Sequence, residues 1–516
     1  MLRRSLDATF MPGAYVFPGG AVDADDASQD AQACCDEPQQ GERLGAWGGA
    51  HAVAALRECF EECGLWLGAG PSDPAALHAA RARLRGRECG IDALSRALGL
   101  PLATSALWPF AHWVTPIDVA KRFDTRFFVA LAPDDQAPAA DATETTSVCW
   151  VEPRDALARF ERGEFQIEFA TRENLRALAA FAGVQALLDH ARTPRAIQTV
   201  HPRVAVGAGG KRSVLVATDH AYAEVSRLDP SGTGRALATI EPGRVVQLGP
   251  ALRRLTAPNA GMMTGPGTNS YLLGAPGGEQ IVIDPGPAID AHVDALLEAS
   301  SGRIAAILVT HTHQDHSPAA ARLAAMTGAI RIGLPAPANG RQDRTFAPDE
   351  RPADGEPLAL AGIALRAIHT PGHASNHVCW WYGDERLLFT GDHLMQGSTV
   401  VIDPPDGDMA AYLASLRGLA DRLPSLAWLA PGHGFLIGEP LRAIERLVAH
   451  RLGREAKVLA ALERLGGGDV AALLPAVYDD VAPQLHPVAA RSLLAHLLKL
   501  QHEGRAAEHG GRWQLR

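Results

Sequence analysis

The sequence predicts a multidomain protein that combines α/β and α+β units. Its 516 residues exceed what one ordinary core needs, so length alone suggests two to four domains. Strand-like and helical segments alternate along most of the chain, and no run of about 18 apolar residues could cross a bilayer. We therefore expect several packed cores and no membrane span.

Composition and charge narrow the class of protein. The chain is 47% hydrophobic and 21% charged, as expected of a soluble globular protein, and its net charge of -10 neither favours nor excludes nucleic acid. The seven cysteines show no paired disulfide spacing, and the opening residues lack the apolar stretch of a secretory signal. We expect a cytoplasmic protein with reduced thiols.

The first predicted unit covers residues 1–195, with a polar insertion at about 23–48. A helical pattern follows from about Ala50 to Leu67. Strand-like runs are expected at 110–115, 126–131 and 147–151, and one helix near 172–188. Short extended segments at 196–241 suit a tail or linker of this unit. We place the domain boundary near Pro242.

The second predicted domain covers residues 242–440, and a helix with a small tail covers 441–516. In the second domain, the apolar run 304–309 leads directly into Thr-His-Thr-His-Gln-Asp-His at 310–316. Four candidate ligands therefore lie in six residues: His311, His313, Asp315 and His316. At a strand-to-helix turn, such a loop can serve two neighbouring metal ions.

Three further candidate ligands follow apolar or strand-like runs, each directly after a glycine. They are His373, Asp392 and His433. Asp284 ends another strand-like run and completes the set. The alternative is a chance group of loop histidines in a chain with 20 of them. The ordered recurrence of the pattern favours a metal site.

These motifs resemble the metallo-β-lactamase superfamily over about Val245 to Gly438. The resemblance implies an αββα sandwich with its site at the sheet edges. It assigns His311, His313 and His373 to one metal; Asp315, His316 and His433 to the other; and Asp392 to a bridging position, with Asp315 and Asp392 as catalytic residues. It also implies that Asp284 orients the loop histidines. Two zinc ions are expected, with manganese or iron as alternatives.

In having an aspartate at position 392, the chain resembles hydroxyacylglutathione hydrolases and RNase Z-like phosphodiesterases. The resemblance implies that two cations activate a water for attack on an ester, a thioester or a phosphodiester. Those three substrate classes stay open.

A closer resemblance, to a lactamase-β-like group that includes single-strand-specific endoribonucleases, rests on residues 263–273, residues 390–399 and the pair His450-Arg451. We assign Thr268 and Asn269 of the first motif to substrate binding. The group ends in a winged helix, and this tail agrees, with helical spacing at 487–500 and a wing-like hairpin at 506–515. Whether the tail serves packing, dimerisation or nucleic-acid binding stays open.

The helix of the first unit carries three glutamates on one face. Glu58, Glu61 and Glu62 stand at i, i+3 and i+4, where hard carboxylate oxygens can hold Mg²⁺. The alternative is a solvated acidic helix face.

Residues 57–65 and the glycine turn at 17–23 resemble the Nudix box. Residues 113–116 and 121–128 are similar to its coenzyme A and nucleotide-sugar branch. The resemblance implies an α/β/α sandwich, a magnesium or manganese cofactor, catalytic Glu61 and Glu62, and a supporting Arg57. Two features depart from the box. About 23 residues are inserted before Arg57, and Gly49 stands where a glutamate is usual.

Together these motifs predict a bifunctional hydrolase of small molecules of the coenzyme A, nucleotide or acyl-thioester type. The alternative is an RNA-processing endoribonuclease that cleaves single-stranded RNA, with a non-catalytic Nudix-like scaffold. One strand is also expected to be missing at the start, since only residues 1–6 precede the first turn. An unpaired sheet edge there predicts an upstream start, a destabilised unit or a homodimer.

Overall fold

The computed structural model describes residues 1–9, 11–37, 47–67, 73–119, 121–338 and 342–516. Part of the predicted insertion at 23–48 lies outside these residues. Contacts divide the chain into two compact units, Met1–Pro202 and Arg203–Arg516. The segment 203–241, expected as a tail or linker of the first unit, packs with the second. Within the described ranges, no helix combines the length and apolar character needed to cross a membrane.

The first unit contains two three-stranded sheets, ordered β2-β1-β5 and β4-β3-β6. Its strands are β1 (Leu2–Arg4), β2 (Tyr15–Val16), β3 (Trp108–Val114), β4 (Asp124–Val129), β5 (Thr145–Val148) and β6 (Thr199–Val200). Its helices are α1 (Gln29–Ala33), α2 (Gly48–Cys63), α3 (Pro74–Arg85), α4 (Ile91–Leu98), α5 (Pro153–Glu161), α6 (Phe169–Ala179) and α7 (Val184–Arg192).

Helix α2, which carries the three glutamates, buries its other face. Val53, Leu56 and Phe60 pack in an apolar cluster that also contains Leu94. The helix ends where Gly64 adopts a left-handed conformation with φ of 75°. With this face buried, Glu58 and Glu62 lie against the glycine turn at 19–20.

Two expectations for this unit are corrected. The single helix expected at 172–188 is two helices, because the extended backbone of Gly183 interrupts the helical path between α6 and α7. The first strand is not an unpaired edge. Leu2–Arg4 lies in the middle of its sheet, paired with β2 on one side and β5 on the other.

The second unit contains most of the strands. These are β7 (Arg203–Val206), β8 (Arg212–Leu215), β9 (Val245–Gln247), β10 (Leu252–Thr256), β11 (Asn269–Leu273), β12 (Gln280–Ile283), β13 (Ile304–Leu308), β14 (Ile330–Ile332), β15 (Pro357–Leu360), β16 (Ile363–His369), β17 (Val378–Tyr382), β18 (Leu387–Gly391), β19 (Trp428–Pro431), β20 (Ala506–His509) and β21 (Arg512–Leu515). Its helices are α8 (Tyr222–Leu228), α9 (Asp290–Ser300), α10 (Ala319–Thr327), α11 (Met409–Arg422), α12 (Pro440–Leu465), α13 (Val470–Val477) and α14 (His486–His502).

Two sheets of this unit pack face to face. One has the order β14-β13-β12-β11-β10-β9 and the other β15-β16-β17-β18-β19. Tyr271 and Leu308 of the first sheet share a core with Trp380 and Phe389 of the second. Helices α9 and α10 cover the outer face of the first sheet, and α11 and α12 cover that of the second. The αββα sandwich expected for this half is confirmed.

The tail forms a small core of its own. Val458 of α12, Leu493 of α14 and Trp513 of β21 belong to one buried cluster. Strands β20 and β21 form the expected antiparallel hairpin, with Ala506 opposite Leu515. The tail therefore has three helices followed by a wing-like hairpin.

Candidate metal centre

The candidate ligands converge because they follow the ends of neighbouring strands. Strands β12, β13 and β14 run parallel in the first sheet, and β18 and β19 run parallel in the second. Within each sheet, the carboxyl ends of these strands therefore lie at the same edge. In open α/β sheets this edge is the usual place for a ligand. Asp284 follows β12, the loop 309–316 follows β13, Asp392 follows β18 and His433 follows β19.

The first cluster consists of three imidazoles. Nδ1 of His313 lies 2.8 Å from Nε2 of His311 and 3.0 Å from Nε2 of His373. Burial lowers the pKa of all three, to about 3 for His313, with the neighbouring His373 as a further cause there. The rings are therefore neutral, which is the form that offers a nitrogen lone pair to a metal.

The second cluster contains two carboxylates and two imidazoles. Nε2 of His316 lies 3.4 Å from Oδ2 of Asp315 and from Oδ1 of Asp392. Nε2 of His433 lies 3.3 Å from the same two oxygens. All four ligand atoms lie within 4.8 Å of one another. Seven predicted ligands are thus brought together in two adjacent groups.

Asp392 spans both clusters. Its Oδ1 faces His316 and His433, and its Oδ2 lies 3.8 Å from Nε2 of His373. The backbone of Gly432 lies close to this carboxylate. A Cβ at position 432 would lie 2.7 Å from Oδ1 of Asp392. Glycine at 432 is therefore required by space rather than by turn geometry.

The electrostatics of the second cluster call for positive charge. Burial opposes protonation of His316 and His433, but the neighbouring carboxylates outweigh it and raise both pKa values, that of His433 to about 10. Nε2 of His316, Nε2 of His433 and Oδ1 of Asp392 are nevertheless buried without a hydrogen-bonding partner in the described part of the chain. A bound cation would supply both the charge and the missing partners.

Backbone and carboxylate acceptors orient these histidines. Oδ2 of Asp284 accepts hydrogen bonds from Nδ1 of His316 at 2.9 Å and from Oγ1 of Thr310 at 2.7 Å. Nδ1 of His373 donates to the carbonyl of Val401 at 2.7 Å, and Nδ1 of His433 donates to that of Gly267 at 3.1 Å. Each bond leaves Nε2 directed at the centre, as an orienting role of Asp284 requires.

Thr268 and Asn269, predicted to bind substrate, are both fully buried. Thr268 Oγ1 donates to Oδ2 of Asp315 at 3.2 Å. The Asn269 amide donates to the carbonyl of Gly434 at 2.8 Å, and its oxygen accepts from Thr256. These contacts support the metal ligands. A direct contact with substrate stays a prediction for both residues.

Two buried histidines that the motif analysis does not single out lie behind the centre. The ring of His377 stacks on that of His311 at 5.0 Å, and His393 lies 5.6 Å from His377. His377 Nε2 and both ring nitrogens of His393 have no hydrogen-bonding partner among the described residues. In the sequence, their closeness to His373 and Asp392 is the signal that could have identified these two histidines.

In the first unit, the glycine turn lies against the glutamates of α2. The backbone N–H of Gly19 donates to Oε2 of Glu62 at 2.9 Å. A Cβ at Gly20 would lie 2.3 Å from Oε1 of Glu58, so a larger residue here would displace the Glu58 carboxylate. Burial raises the pKa of Glu62 to about 8, with Glu58 as a further cause.

Arg57 joins this turn to the helix. It donates to Oδ1 and Oδ2 of Asp26 at 2.8 and 2.9 Å and to the carbonyl of Ala21 at 2.8 Å. It also donates to Glu58 at 2.9 Å and to Glu61 at 3.3 Å. Asp26, inside the predicted insertion, was not anticipated. Among the described residues, groups of three or more metal-ligand atoms occur at the centre of the second unit, and the three glutamates do not form another.

Comparison with known proteins agrees with this geometry. The model of the metallo-beta-lactamase superfamily matches residues 263–433, and that of the beta-lactamase associated winged helix domain matches residues 470–513. A beta-lactamase-like protein 2 homolog of Drosophila melanogaster is 32% identical over 286 residues, which cover 50% of this chain and 92% of that protein.

Two fungal relatives are named thioesterases. Thioesterase pkgB of Emericella nidulans is 36% identical over 207 residues, which cover 40% of this chain and 56% of that protein. The atrochrysone carboxyl ACP thioesterase AgnL7 of Paecilomyces divaricatus is 29% identical over 275 residues, which cover 51% of this chain and 83% of that protein.

Proposed function

The chain belongs to the metallo-beta-lactamase superfamily, and on this basis we propose that its second unit hydrolyses an acyl thioester at the metal centre. The observation that carries the proposal is the position of Asp392, whose two oxygens face two separate ligand clusters. The thioesterase names of two relatives support the substrate class.

The residues fit two divalent cations. His311, His313 and His373 would hold one, and Asp315, His316 and His433 the other, with Asp392 between them. When bound, such a pair supplies a water activated near neutral pH and a polarised scissile carbonyl. The imidazole-rich donor set favours zinc, and the carboxylate oxygens accommodate manganese or iron.

The side chains of the centre suit a leaving group that departs without a proton. Nδ1 of His373 and Nδ1 of His433 donate to the backbone carbonyls of Val401 and Gly267, and Nε2 of His433 faces the carboxylates of Asp315 and Asp392. A thiol has a pKa of about 8.5, so its thiolate leaves more readily than an alkoxide without first taking up a proton. A thioester is therefore favoured over an oxygen ester.

The test is to measure thiol release by the zinc-loaded full-length protein from an acyl-CoA, an acylglutathione and an acyl-carrier thioester. A matched oxygen ester and a single-stranded RNA complete the panel. We expect at least one thioester to be cleaved and cleavage to stop when a chelator removes the metal. Cleavage of RNA without cleavage of any thioester would contradict the proposal and favour the phosphodiesterase alternative.

For the first unit we propose a second activity, magnesium- or manganese-dependent hydrolysis of a diphosphate in a coenzyme A or nucleotide derivative. Support comes from the turn 19–21, which is tied to the glutamate helix through Glu62 and Arg57. Assays with coenzyme A, ADP-ribose and dinucleotides test it. Absence of cleavage across all three would make this unit a non-catalytic scaffold.

A further inference from the structure

The segment 400–403 lies between the metal centre and the C-terminal tail. On its inner side, the carbonyl of Val401 accepts the 2.7 Å hydrogen bond from Nδ1 of His373. Val400 and Ile402 are buried on either side of it. The position of this one carbonyl therefore decides which way the His373 ring is held.

The outer side of the same segment is held by the tail. Arg451 of α12 donates through Nη2 to the carbonyl of Val400. From α14, Oγ of Ser492 accepts from the backbone N–H of Ile402 at 3.4 Å, and Arg491 forms an ion pair with Asp403 at 3.3 Å. Three residues of the segment, Val400, Ile402 and Asp403, are thus attached to helices α12 and α14.

Arg451 is buried, with 3% of its surface exposed. Its guanidinium lies over the ring of Tyr412 at 5.6 Å. The Tyr412 hydroxyl donates at 2.8 Å to the carbonyl of His393, the residue after Asp392. Because an enclosed guanidinium retains little freedom, its contact with Val400 is well defined in position.

A second arginine on α12 points elsewhere. Arg454, one turn along, is also buried, with 6% exposed, but its guanidinium bonds Asp480 at 2.7 Å within the tail. Its hydrogen bonds go to the carbonyl of Val477 and to Asp480, and among the described residues none goes to segment 400–403, so it stabilises the tail. Helix α12 therefore carries one buried arginine that contacts segment 400–403 and a second buried arginine, suitable as a control, that contacts the tail.

We propose that Arg451 is a positioning residue of the metal centre. By holding the Val400 carbonyl it keeps the neighbouring Val401 carbonyl against Nδ1 of His373, and so directs Nε2 of His373 at the first metal. The inference rests on the proposed function only in taking His373 as a metal ligand. Helix α12, which packs on the second sheet and continues into the tail, then supports the hydrolase centre through segment 400–403.

The experiment compares the wild type with Arg451→Met, Arg451→Lys, Ser492→Ala and Arg454→Met. Metal-free protein is titrated with Zn²⁺ to obtain two dissociation constants, and the Co²⁺-loaded forms are compared by visible absorption. Loss of an outer partner of a metal-binding histidine typically costs about 10–100-fold in affinity. We expect Arg451→Met to lose this much at one of the two sites, with an altered Co²⁺ spectrum.

The other variants separate positioning from general stability. Arg451→Lys, which keeps a donor, should recover part of the lost affinity, and Ser492→Ala should show a smaller loss at the same site. Arg454→Met should lower the melting temperature without changing either dissociation constant. Equal effects of Arg451→Met and Arg454→Met on metal affinity, or none from either, would overturn the proposal.

The outcome can be distinguished from failure of the proposed function. A wild type that binds two metals but cleaves no thioester rejects the substrate class and leaves the metal-affinity comparison valid. A wild type that binds no metal rejects both. If Arg451→Met does not fold, unchanged zinc affinity in Arg451→Lys and Ser492→Ala rejects the positioning role, and a loss at one site in Ser492→Ala supports it.

Discussion

At the scale of single residues, the direction of three of the five imidazoles is set by the acceptor at the other ring nitrogen. The Asp284 carboxylate accepts a hydrogen bond from His316, the Val401 carbonyl accepts one from His373, and the Gly267 carbonyl accepts one from His433. Such partners choose the tautomer and hold the ring. The centre is therefore prepared by groups that do not themselves contact a metal.

We expect His313→Ala and Asp392→Asn to abolish hydrolysis by the second unit. His313 lies between two other imidazoles, and Asp392 joins the two clusters. A fall in kcat/KM by at least about 100-fold is expected, since loss of an outer partner alone can cost that much. Kinetics and bound-metal analysis of the purified variants measure it.

The control for these variants is His509→Ala, which removes an exposed histidine of the wing hairpin. It should keep both metal content and turnover. Turnover by metal-free wild type at the loaded rate would contradict the assignment.

At the scale of elements, a buried ion pair attaches α8 to the sandwich. Arg254 of β10 donates to both oxygens of Glu224 at 2.7 and 2.9 Å, and both side chains are almost completely enclosed. Glu224 also accepts the backbone N–H of Leu436. This pair accounts for part of the packing of the segment 203–241 against the second unit.

We expect Arg254→Met to lower the free energy of unfolding by about 3–5 kcal/mol, because it leaves the Glu224 carboxylate buried without its cation. Chemical denaturation of the purified variant measures the change. Arg244→Met, which removes an exposed pair with Glu241, should cost at most about 1 kcal/mol. Equal costs in the two variants would show that burial of the pair is unimportant.

The tail has an acid-sensitive contact of its own. Burial raises the pKa of Glu455, but hydrogen bonds and charge from His496 and Lys499 outweigh it and bring the pKa to about 2. Since this lies below the ordinary value of 4.5, the carboxylate stabilises the folded tail above pH 4.5, and the contribution is lost as pH falls toward 2.

We therefore expect Glu455→Gln to be less stable than wild type at pH 7 and to approach it as the pH falls toward 2. Thermal melting across this range measures the convergence. Glu503→Gln, in which a more exposed partner of Lys499 is changed, should stay close to wild type throughout. A constant difference between Glu455→Gln and wild type at every pH would show that Glu455 does not titrate as described.

At the scale of the whole molecule, the chain holds two separate sets of candidate catalytic side chains. The glutamates of α2 belong to the unit Met1–Pro202, and the ligands of the metal centre belong to the unit Arg203–Arg516. Because no side chain is shared, the two proposed reactions should respond independently to substitution.

We expect Glu61→Gln and Glu62→Gln to remove magnesium-dependent diphosphate hydrolysis while thioester hydrolysis is unchanged, because carboxylates are the Mg²⁺ ligands. Asp392→Asn should have the opposite pattern. Parallel assays of both reactions on each variant measure the separation, with the exposed Glu161→Gln as control. Loss of both activities from either substitution would contradict independence.

Local patterns in the sequence predicted the candidate ligands that the fold brings together, the sandwich and the winged-helix tail. The role of those residues as metal ligands stays a prediction. Asp284, Asp392 and His433 lie just after the ends of strands, and the loop 309–316 follows another, so a local pattern indicates both the strand and the side chains beyond its end. The alternation of strands with helices and the hairpin about the Gly510-Gly511 turn are equally local signals.

The partners of those candidate ligands from distant parts of the chain could be identified only from the fold. Asp26 meets Arg57, His377 stacks on His311, and Arg451 reaches the segment that holds His373. These partners are separated by up to tens of residues, and no spacing rule links them. Strand register and helix packing bring these residues into contact although they are far apart in the sequence.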